Sequence, residues 1–262
     1  MDKTYFQNVL YPLQDSFLGL LKTVETGFYL GGGTAASRAY LNHRYSEDLD
    51  FFVNDDEAFP LWTDRVIHAA AGRPGWEVQI LLREARFGRM LLKEGDAALK
   101  IELINDVPSR VGETLNHPVL GKVDSAENIL SNKVTALLDR REPRDFADIW
   151  AFCTRMKLSL RRSLEDAKSK AAGIFPADLA RVLWSVSEGD WEAVRWIEDP
   201  GHRIEDPGHR IEDPGYRTED PGYRTKDPGL RTEKPTADRF ISDLRRLGES
   251  LVVVPRSLRE AE

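Results

Sequence analysis

Cysteine is nearly absent from this chain. Its 262 residues include one, Cys153, which excludes an internal disulfide framework and any cysteine-based zinc site. That residue sits in an apolar, helix-patterned stretch and reads as a small buried hydrophobe. Long apolar runs are missing as well, and none approaches the length needed to span a bilayer. The first twenty residues lack the basic start, apolar block and small-residue cleavage site of a secretory leader. The expected location is therefore the cytoplasm, with no membrane partner. Histidine is scarce, five in all. Neither His43 nor His68 falls in a triad-like or zinc-like spacing, so both are assigned to packing or surface. A surplus of positive charge is lacking too. The net charge of −7 argues against a protein that coats nucleic acid nonspecifically, while leaving room for a local basic groove.

What is present is ordinary in bulk: 41% hydrophobic and 31% charged residues, as in soluble globular chains. The length suits one large domain or two small ones. Apolar residues from Phe6 to Leu21 recur at helical spacing, with a break or bend expected near Pro12. Gly27 to Leu30 reads as a short strand running into Gly31-Gly32-Gly33-Thr34 and a helix-compatible stretch to Asn42. Leu49 to Val53 is a second strand, residues 61–71 are helical, and residues 72–75 form a turn. Three strand-like runs follow, at 76–82, 86–92 and 98–104. Asp124 and Glu127 match a capping box before the apolar series Ile129, Leu130, Val134, Leu137 and Leu138. A second helix starts at Pro143, and further helices are expected at 160–171, 176–188, 190–197 and 236–250.

Between the last two lies a tandem repeat. Five seven-residue units run from Glu198-Asp199-Pro200-Gly201-His202-Arg203-Ile204 to Thr232. A Pro-Gly pair in every copy forbids a continuous helix and favours turns. The units supply almost no apolar surface, so a disordered, exposed insertion is expected. Tyr216 and Tyr223 replace His202 and His209 in later copies, which argues against metal binding there.

The chemistry is concentrated in residues 30–52. Side chains alternate across a strand, so Asp48 and Asp50 project from one face while Leu49 and Phe51 turn to the other. Two carboxylates so placed make a hard-oxygen site suited to Mg²⁺. The glycine run at a strand-to-helix junction lets backbone N–H groups approach an anion, and Thr34 adds a hydroxyl. Together these features suit a triphosphate held on glycines and metal held on carboxylates, the requirement for in-line displacement at phosphorus.

Gly31-Gly32-Gly33-Thr34-Ala35 followed by Arg44-x-Ser46-x-Asp48-Leu-Asp50-Phe-Phe52 resembles the AbiEii/AbiGii toxin family of nucleotidyltransferases. So does Glu127-x-x-Leu130-x-x-Lys133-x-x-Ala136-Leu137, continuing to Arg140-x-x-x-Arg144-Asp145-Phe146-x-Asp148-Ile149. The likeness spans roughly residues 25–155, and the repeats do not belong to it. It implies an α+β fold: a nucleotidyltransferase-fold N-terminal domain (a mixed sheet with helices) followed by a helical C-terminal region. The corresponding division is 1–122 for the first domain and 123–197 for a helical region completing the site. The repeat insertion is 198–232, and a C-terminal helix and tail occupy 233–262.

The resemblance further implies an Mg²⁺-dependent enzyme using a nucleoside triphosphate, set in a bacterial toxin–antitoxin or phage-defence system. Its acceptor would be RNA, tRNA ends included, and its restraint a cognate antitoxin protein. Asp48 and Asp50 would bind metal, with Glu102 as the third carboxylate from a later strand; alternation places Lys100 on the same face as Glu102. Gly31, Gly32, Gly33, Thr34, Arg44 and Ser46 would hold the nucleotide, Arg44 alternatively orienting Asp48 or Asp50. Lys133, at the edge of its helix's apolar stripe, would neutralise triphosphate charge. Asp148 is the favoured functional acid of its helix, although Asp145 or Asp148 pairing with Arg141 or Arg144 would equally dock the helices. A small-molecule nucleotidyltransferase and a degenerate nucleotide- or partner-binding domain are the alternatives, and transfer of the terminal phosphate fits the same metal site. Basic residues clustered beside the metal site would favour RNA; a small enclosed acidic pocket would favour a small molecule.

Overall fold

A computed structural model of the protein describes residues 3–198 and 233–252. The expectation of a disordered repeat insertion falls outside the described residues, as does the tail after Val252. Lys3–Tyr5 (α1), the π-helical Phe6–Leu10 and Tyr11–Leu21 (α2) run on as one helical segment, with right-handed helical backbone at both junctions. The break expected near Pro12 does not occur. Proline falls in the first turn of α2, and the wider turns just before it relieve the clash its ring would make inside a regular helix.

The strand Tyr29–Leu30 (β1) is shorter than expected and leads into Gly32–Thr34 (α3), which continues as the π-helical Ala35–Leu41. Then come Leu49–Asn54 (β2), Phe59–Ala71 (α4), Glu77–Arg83 (β3), Phe87–Glu94 (β4) and Ala97–Asp106 (β5). Two strands, Leu115–His117 (β6) and Gly121–Val123 (β7), were not anticipated; three residues are too few to show alternation. All seven join one mixed sheet in the order β3-β4-β5-β2-β1-β7-β6. β2 lies parallel to β5 and antiparallel to β1, and β1 lies parallel to β7.

The alternation in β2 and β5 decides which face the helices cover. Leu49, Phe51 and Val53 are buried, as are Ala97, Leu99, Ile101 and Leu103. Each large side chain so buried contributes about 1.5–3 kcal/mol. They meet Leu10, Leu13 and Phe17 of the N-terminal helix, with the Phe17 and Phe51 rings 5.9 Å apart. The opposite face carries Asp50, Phe52 and Glu102, and there the helical half closes over the sheet.

That half comprises Ala126–Arg140 (α5), Pro143–Thr154 (α6), Leu160–Lys168 (α7), Pro176–Trp184 (α8), Glu188–Ala193 (α9) and Ala237–Val252 (α10). The helices expected at 160–171, 176–188 and 190–197 all end early. The cap of α5 is displaced by one residue from expectation. Ser125 is the N-cap, its hydroxyl accepting the Asn128 N–H, while Asp124 accepts the Ser125 N–H and an amide proton of Asn128. Asp124 therefore braces the cap from outside. α10 packs along α8, and Phe240 meets Trp150 and Trp196 edge-on with centroids 6.0 and 5.5 Å apart. Glu198, the first residue of the repeat tract, and Lys234, just past its end, form an ion pair at 2.9 Å. Among the described residues no helix is long and apolar enough to cross a membrane.

Candidate active site

The parallel pairing of β2 with β5 sets Asp50 directly opposite Glu102. Neighbouring strands bring paired side chains to one face, so two carboxylates far apart in the chain stand side by side. Asp48, just before β2, completes the acidic edge. Burial pushes the Asp50 carboxyl up to about 6, with Glu102 and Asp48 adding to the rise and Lys133 and Lys100 opposing it. A carboxylate in that position calls for a cation.

The cation there is an ammonium. Lys100 Nζ lies 2.8 Å from Asp48 and 3.3 Å from Glu102, and Arg89 holds Glu102 at 2.9 Å. Among the described residues no three metal-ligating side chains stand close enough together to enclose an ion. The donor set itself, three hard carboxylates on one sheet face, fits a divalent cation. Asp48, Asp50 and Glu102 are the residues that would hold such an ion, and two of them, Asp48 and Glu102, are bridged by the Lys100 ammonium.

The glycines are demanded by what surrounds them. Gly32 has φ +61°, and a Cβ there would lie 2.1 Å from Asp50 Oδ2. A Cβ on Gly31 would strike the Phe52 ring at 2.7 Å, and one on Gly33 would meet Arg44 Nη2 at the same distance. The turn thus lies against both the acidic edge and the Arg44 guanidinium, with Gly33 in the wall of one cleft and Gly32 in the wall of the next. Thr34 is turned away: its hydroxyl donates to the Asp48 carbonyl at 2.5 Å and is buried. Ser46 is nearly buried on a loop held by Gln14, whose amide donates to the Ser46 and Glu47 carbonyls.

Behind the cleft is a buried ionic network. Asp148, fully buried, accepts from Arg44 Nε at 2.7 Å and Nη2 at 2.8 Å, from His43 Nε2 at 2.9 Å and from Lys133 Nζ at 2.7 Å. Lys133 also reaches Asp145 at 2.9 Å, and Arg140 grips Asp145 through two nitrogens. Burial works against ionising Asp148, yet Arg44 and Lys133 hold its carboxyl well below the usual range. Burial of His43 outweighs its bond to Asp148 and lowers the imidazole to about 4, so the ring is neutral and donates from Nε2.

This placement revises several expectations. Asp148 lies behind the cleft wall, where it fixes Arg44 and Lys133. Arg44 pairs with Asp148 instead of Asp48 or Asp50, and its outer edge still lines the cleft. Asp145 pairs with Lys133 and Arg140, while Arg141 docks α9 through Asp190. His43, assigned to packing, is a fully buried member of the network.

Two adjoining clefts open on the acidic edge and share Asp50, Glu102, Lys133 and Arg140. The first, about 560 Å³, is walled by Arg89 and Lys100 from the sheet, Lys133, Arg140 and Arg144 from the helices, Arg44 and Arg195. Those seven basic groups face five acidic ones, Glu47, Asp48, Asp50, Glu102 and Glu142. Sequence reasoning missed Arg89, Arg195 and Gln14. Arg89 is brought in by the β4–β5 pairing, which sets it opposite Glu102. Arg195 arrives through the antiparallel bridge of Arg44 with Trp196 and pairs with Glu47. No local pattern announces either. The second cleft, about 600 Å³, has more apolar walls, from Phe52, Ile104, Ile129 and Ile174.

The family described as "Nucleotidyl transferase AbiEii toxin, Type IV TA system" matches residues 20–195. JHP933 from Helicobacter pylori superposes with a TM-score of 0.55 at 18% identity, over 100% of this chain and 96% of that one. MenT4, a nucleotidyltransferase toxin from Mycobacterium tuberculosis, superposes at 0.50 with 17% identity, over 96% and 86%. Likeness at that identity shows the shared fold. No curated protein matches the sequence.

Proposed function

The chain belongs to the AbiEii family of nucleotidyltransferase toxins, and from that premise we propose that its cleft transfers a nucleotide from a nucleoside triphosphate to RNA, tRNA included. Membership makes it a nucleotidyltransferase of a toxin–antitoxin system, with an antitoxin as partner. The finer reading rests on one observation. Seven basic side chains surround the acidic edge in an open cleft, an arrangement suited to a phosphate-rich acceptor backbone and unlike a small acidic pocket for an amine-bearing molecule. The setting we propose is cytoplasmic, in defence against phage.

The triphosphate lies along Gly32 and Gly33, between the N–H groups of that turn and the Arg44 and Lys133 cations. Asp148 and Asp145 hold those two cations in place before substrate arrives, so little reorganisation is needed as charge develops. Mg²⁺ on Asp48, Asp50 and Glu102 would polarise the phosphate and favour the acceptor alkoxide. The acceptor hydroxyl oxygen forms a bond to the α-phosphorus while the bond to pyrophosphate breaks. The hydroxyl proton passes to the Asp50–Glu102 carboxylate pair, and the pyrophosphate charge leaves along Lys133 and Arg140.

The test uses purified protein, Mg²⁺, each of the four α-³²P-labelled triphosphates and total bacterial RNA, beside Asp48→Ala and Asp50→Ala. Label entering an RNA band only with unmutated protein supports the reading. Equal labelling by both variants removes the proposed centre, and RNA left unlabelled here but labelled in a parallel reaction with γ-³²P-labelled triphosphate would convert the reaction to phosphate transfer.

A further inference from the structure

The sheet face that carries the acidic edge continues outward past β5. Strand register sets Arg89 of β4 opposite Glu102, Leu91 opposite Lys100 and Phe87 opposite Ile104. On the helix-backed face of β4, Gly88, Met90 and Leu92 are buried, whereas Phe87, Arg89, Leu91 and Lys93 all keep partial exposure. The outer part of the face is therefore open to water beside the reaction centre. At the edge strand, alternation from Val78 and Ile80 would send Leu82 to the helix-backed face. A register shift between Ile80 and Leu82 sets it opposite Arg89 instead, on the open face and 38% exposed. A bulge that turns an apolar side chain into water next to an active site adds nothing to the core and points to a ligand. Apolar and cationic groups alternate across this surface. The Arg89 guanidinium lies 5.2 Å from the centre of the Phe87 ring. Arg89 and Lys93 each leave 40% of the side chain exposed and Lys100 leaves 35%, against 15% for Glu102. Glu77, at the far corner, is 3.6 Å from Lys93, so the charge offered beside the acidic edge is positive.

We propose that the open face of β3, β4 and β5 holds unpaired nucleotides of the RNA acceptor, beside the one whose hydroxyl reacts, with a base stacked on Phe87 and Arg89. Unpaired bases expose both faces of their rings and stack on aromatic side chains and guanidinium planes, while their phosphates follow nearby cations. Phe87 lies two residues along β4 from Arg89, about 7 Å, which keeps a base resting on it close to the Asp50–Glu102 pair. A duplex has its bases stacked inside; it would meet the cations through phosphates and leave Phe87, Leu91 and Leu82 uncovered. A protein seated on the same apolar groups would cover Arg89 and Lys100, which also wall the catalytic cleft, and so would obstruct the acceptor. Unpaired RNA uses the apolar groups, the cations and their continuity with the acidic edge together.

The proposal rests on the RNA-transfer reading, and its test separates the two. Binding to the full chain is followed by fluorescence anisotropy, with a short fluorescein-labelled unpaired RNA and with the same strand in a duplex. Phe87→Ala should weaken the unpaired strand by about five- to a hundredfold, the loss of one stacked base. It should raise KM for RNA in the labelling reaction by a similar factor and leave KM for the triphosphate unchanged. Phe87→Trp keeps a stacking surface and should bind as the parent does. Leu82→Glu, at an exposed position, sets a carboxylate on the same path and should also weaken the unpaired strand. Duplex should bind the parent more weakly than the unpaired strand and be indifferent to Phe87→Ala. Parent-level affinity for unpaired RNA in both Phe87→Ala and Leu82→Glu, with RNA still labelled, overturns the proposal alone. So does an equal loss in Phe87→Ala and Phe87→Trp, or duplex bound as tightly as the unpaired strand. Failure of the unmutated protein to bind or label any RNA overturns the RNA-transfer reading with it.

Discussion

Asp148→Asn probes the buried network with little change of volume. The native carboxylate is fully buried and takes four short contacts, from two nitrogens of Arg44, from His43 and from Lys133. The amide removes the charge and turns one acceptor into a donor aimed at Arg44 or Lys133. Lys133 retains Asp145, so the main penalty falls on Arg44, left buried without a carboxylate. Breaking a buried pair from one side costs about 3–5 kcal/mol. In a protein of this size each kcal/mol lowers Tm by about 2–4 °C, which places the fall at roughly 6–20 °C. Thermal denaturation followed by circular dichroism measures it. Because the network is shielded from solvent, 0.5 M salt should leave the difference in Tm nearly unchanged. Nucleotide transfer at 25 °C, where the variant is still folded, should fall mainly in kcat, since Arg44 and Lys133 lose their anchor. A Tm within about 2 °C of the parent would refute the assignment of Asp148 as the anchor of these cations.

Gly32→Ala forces a side chain into a left-handed backbone and against Asp50 Oδ2. It should cost about 1–2 kcal/mol and abolish transfer, read by Tm and label incorporation; full activity would show that Asp50 has room to move. His43→Gln tests pH dependence. The folded imidazole titrates at about 4, below its ordinary 6.5, so the unfolded chain binds the extra proton first. The stability this depression confers is complete above 6.5 and is lost as pH falls from 6.5 to about 4, up to roughly 3 kcal/mol. The variant's Tm should therefore decline less over that window, and parallel declines would argue against His43 as the group responsible. Arg144→Ala removes an exposed cleft cation. It should leave Tm unchanged, raise KM for RNA and reduce the salt slope of RNA binding by about 0.7; an unchanged slope would take the acceptor path away from this residue.

Much of the scaffold was legible in local pattern. Alternation in 49–53 and 98–104 shows two strands with one apolar face each, and helical spacing marks α5 and α6. Both signals depend only on which way successive side chains point. The edges of elements were less legible, because caps depend on competing hydrogen bonds. Asp124 and Ser125 both suit an N-cap, and the choice of Ser125 follows from Asp124 being drawn toward Arg110 and Asn128. Strands β6 and β7 were invisible because a three-residue strand takes its conformation from its neighbours. Among the site residues, the glycine run stood out, but its reason lies in the Asp50, Phe52 and Arg44 side chains packed against it.

By itself the sequence determined that Asp48 and Asp50 share a face, that glycine precedes them at a strand exit, and that Lys133 stands at the edge of an apolar helical stripe. Each is a consequence of backbone periodicity over a few residues. Tertiary structure alone decided that Glu102 stands opposite Asp50, that Lys100 bridges Asp48 and Glu102, and that Asp148 faces inward to hold Arg44 and Lys133. It also decided that Arg195 reaches the cleft. Each of these joins residues remote in the chain, and a strand register or a buried ion pair is selected by the energy of the whole packed assembly, which no local spacing records.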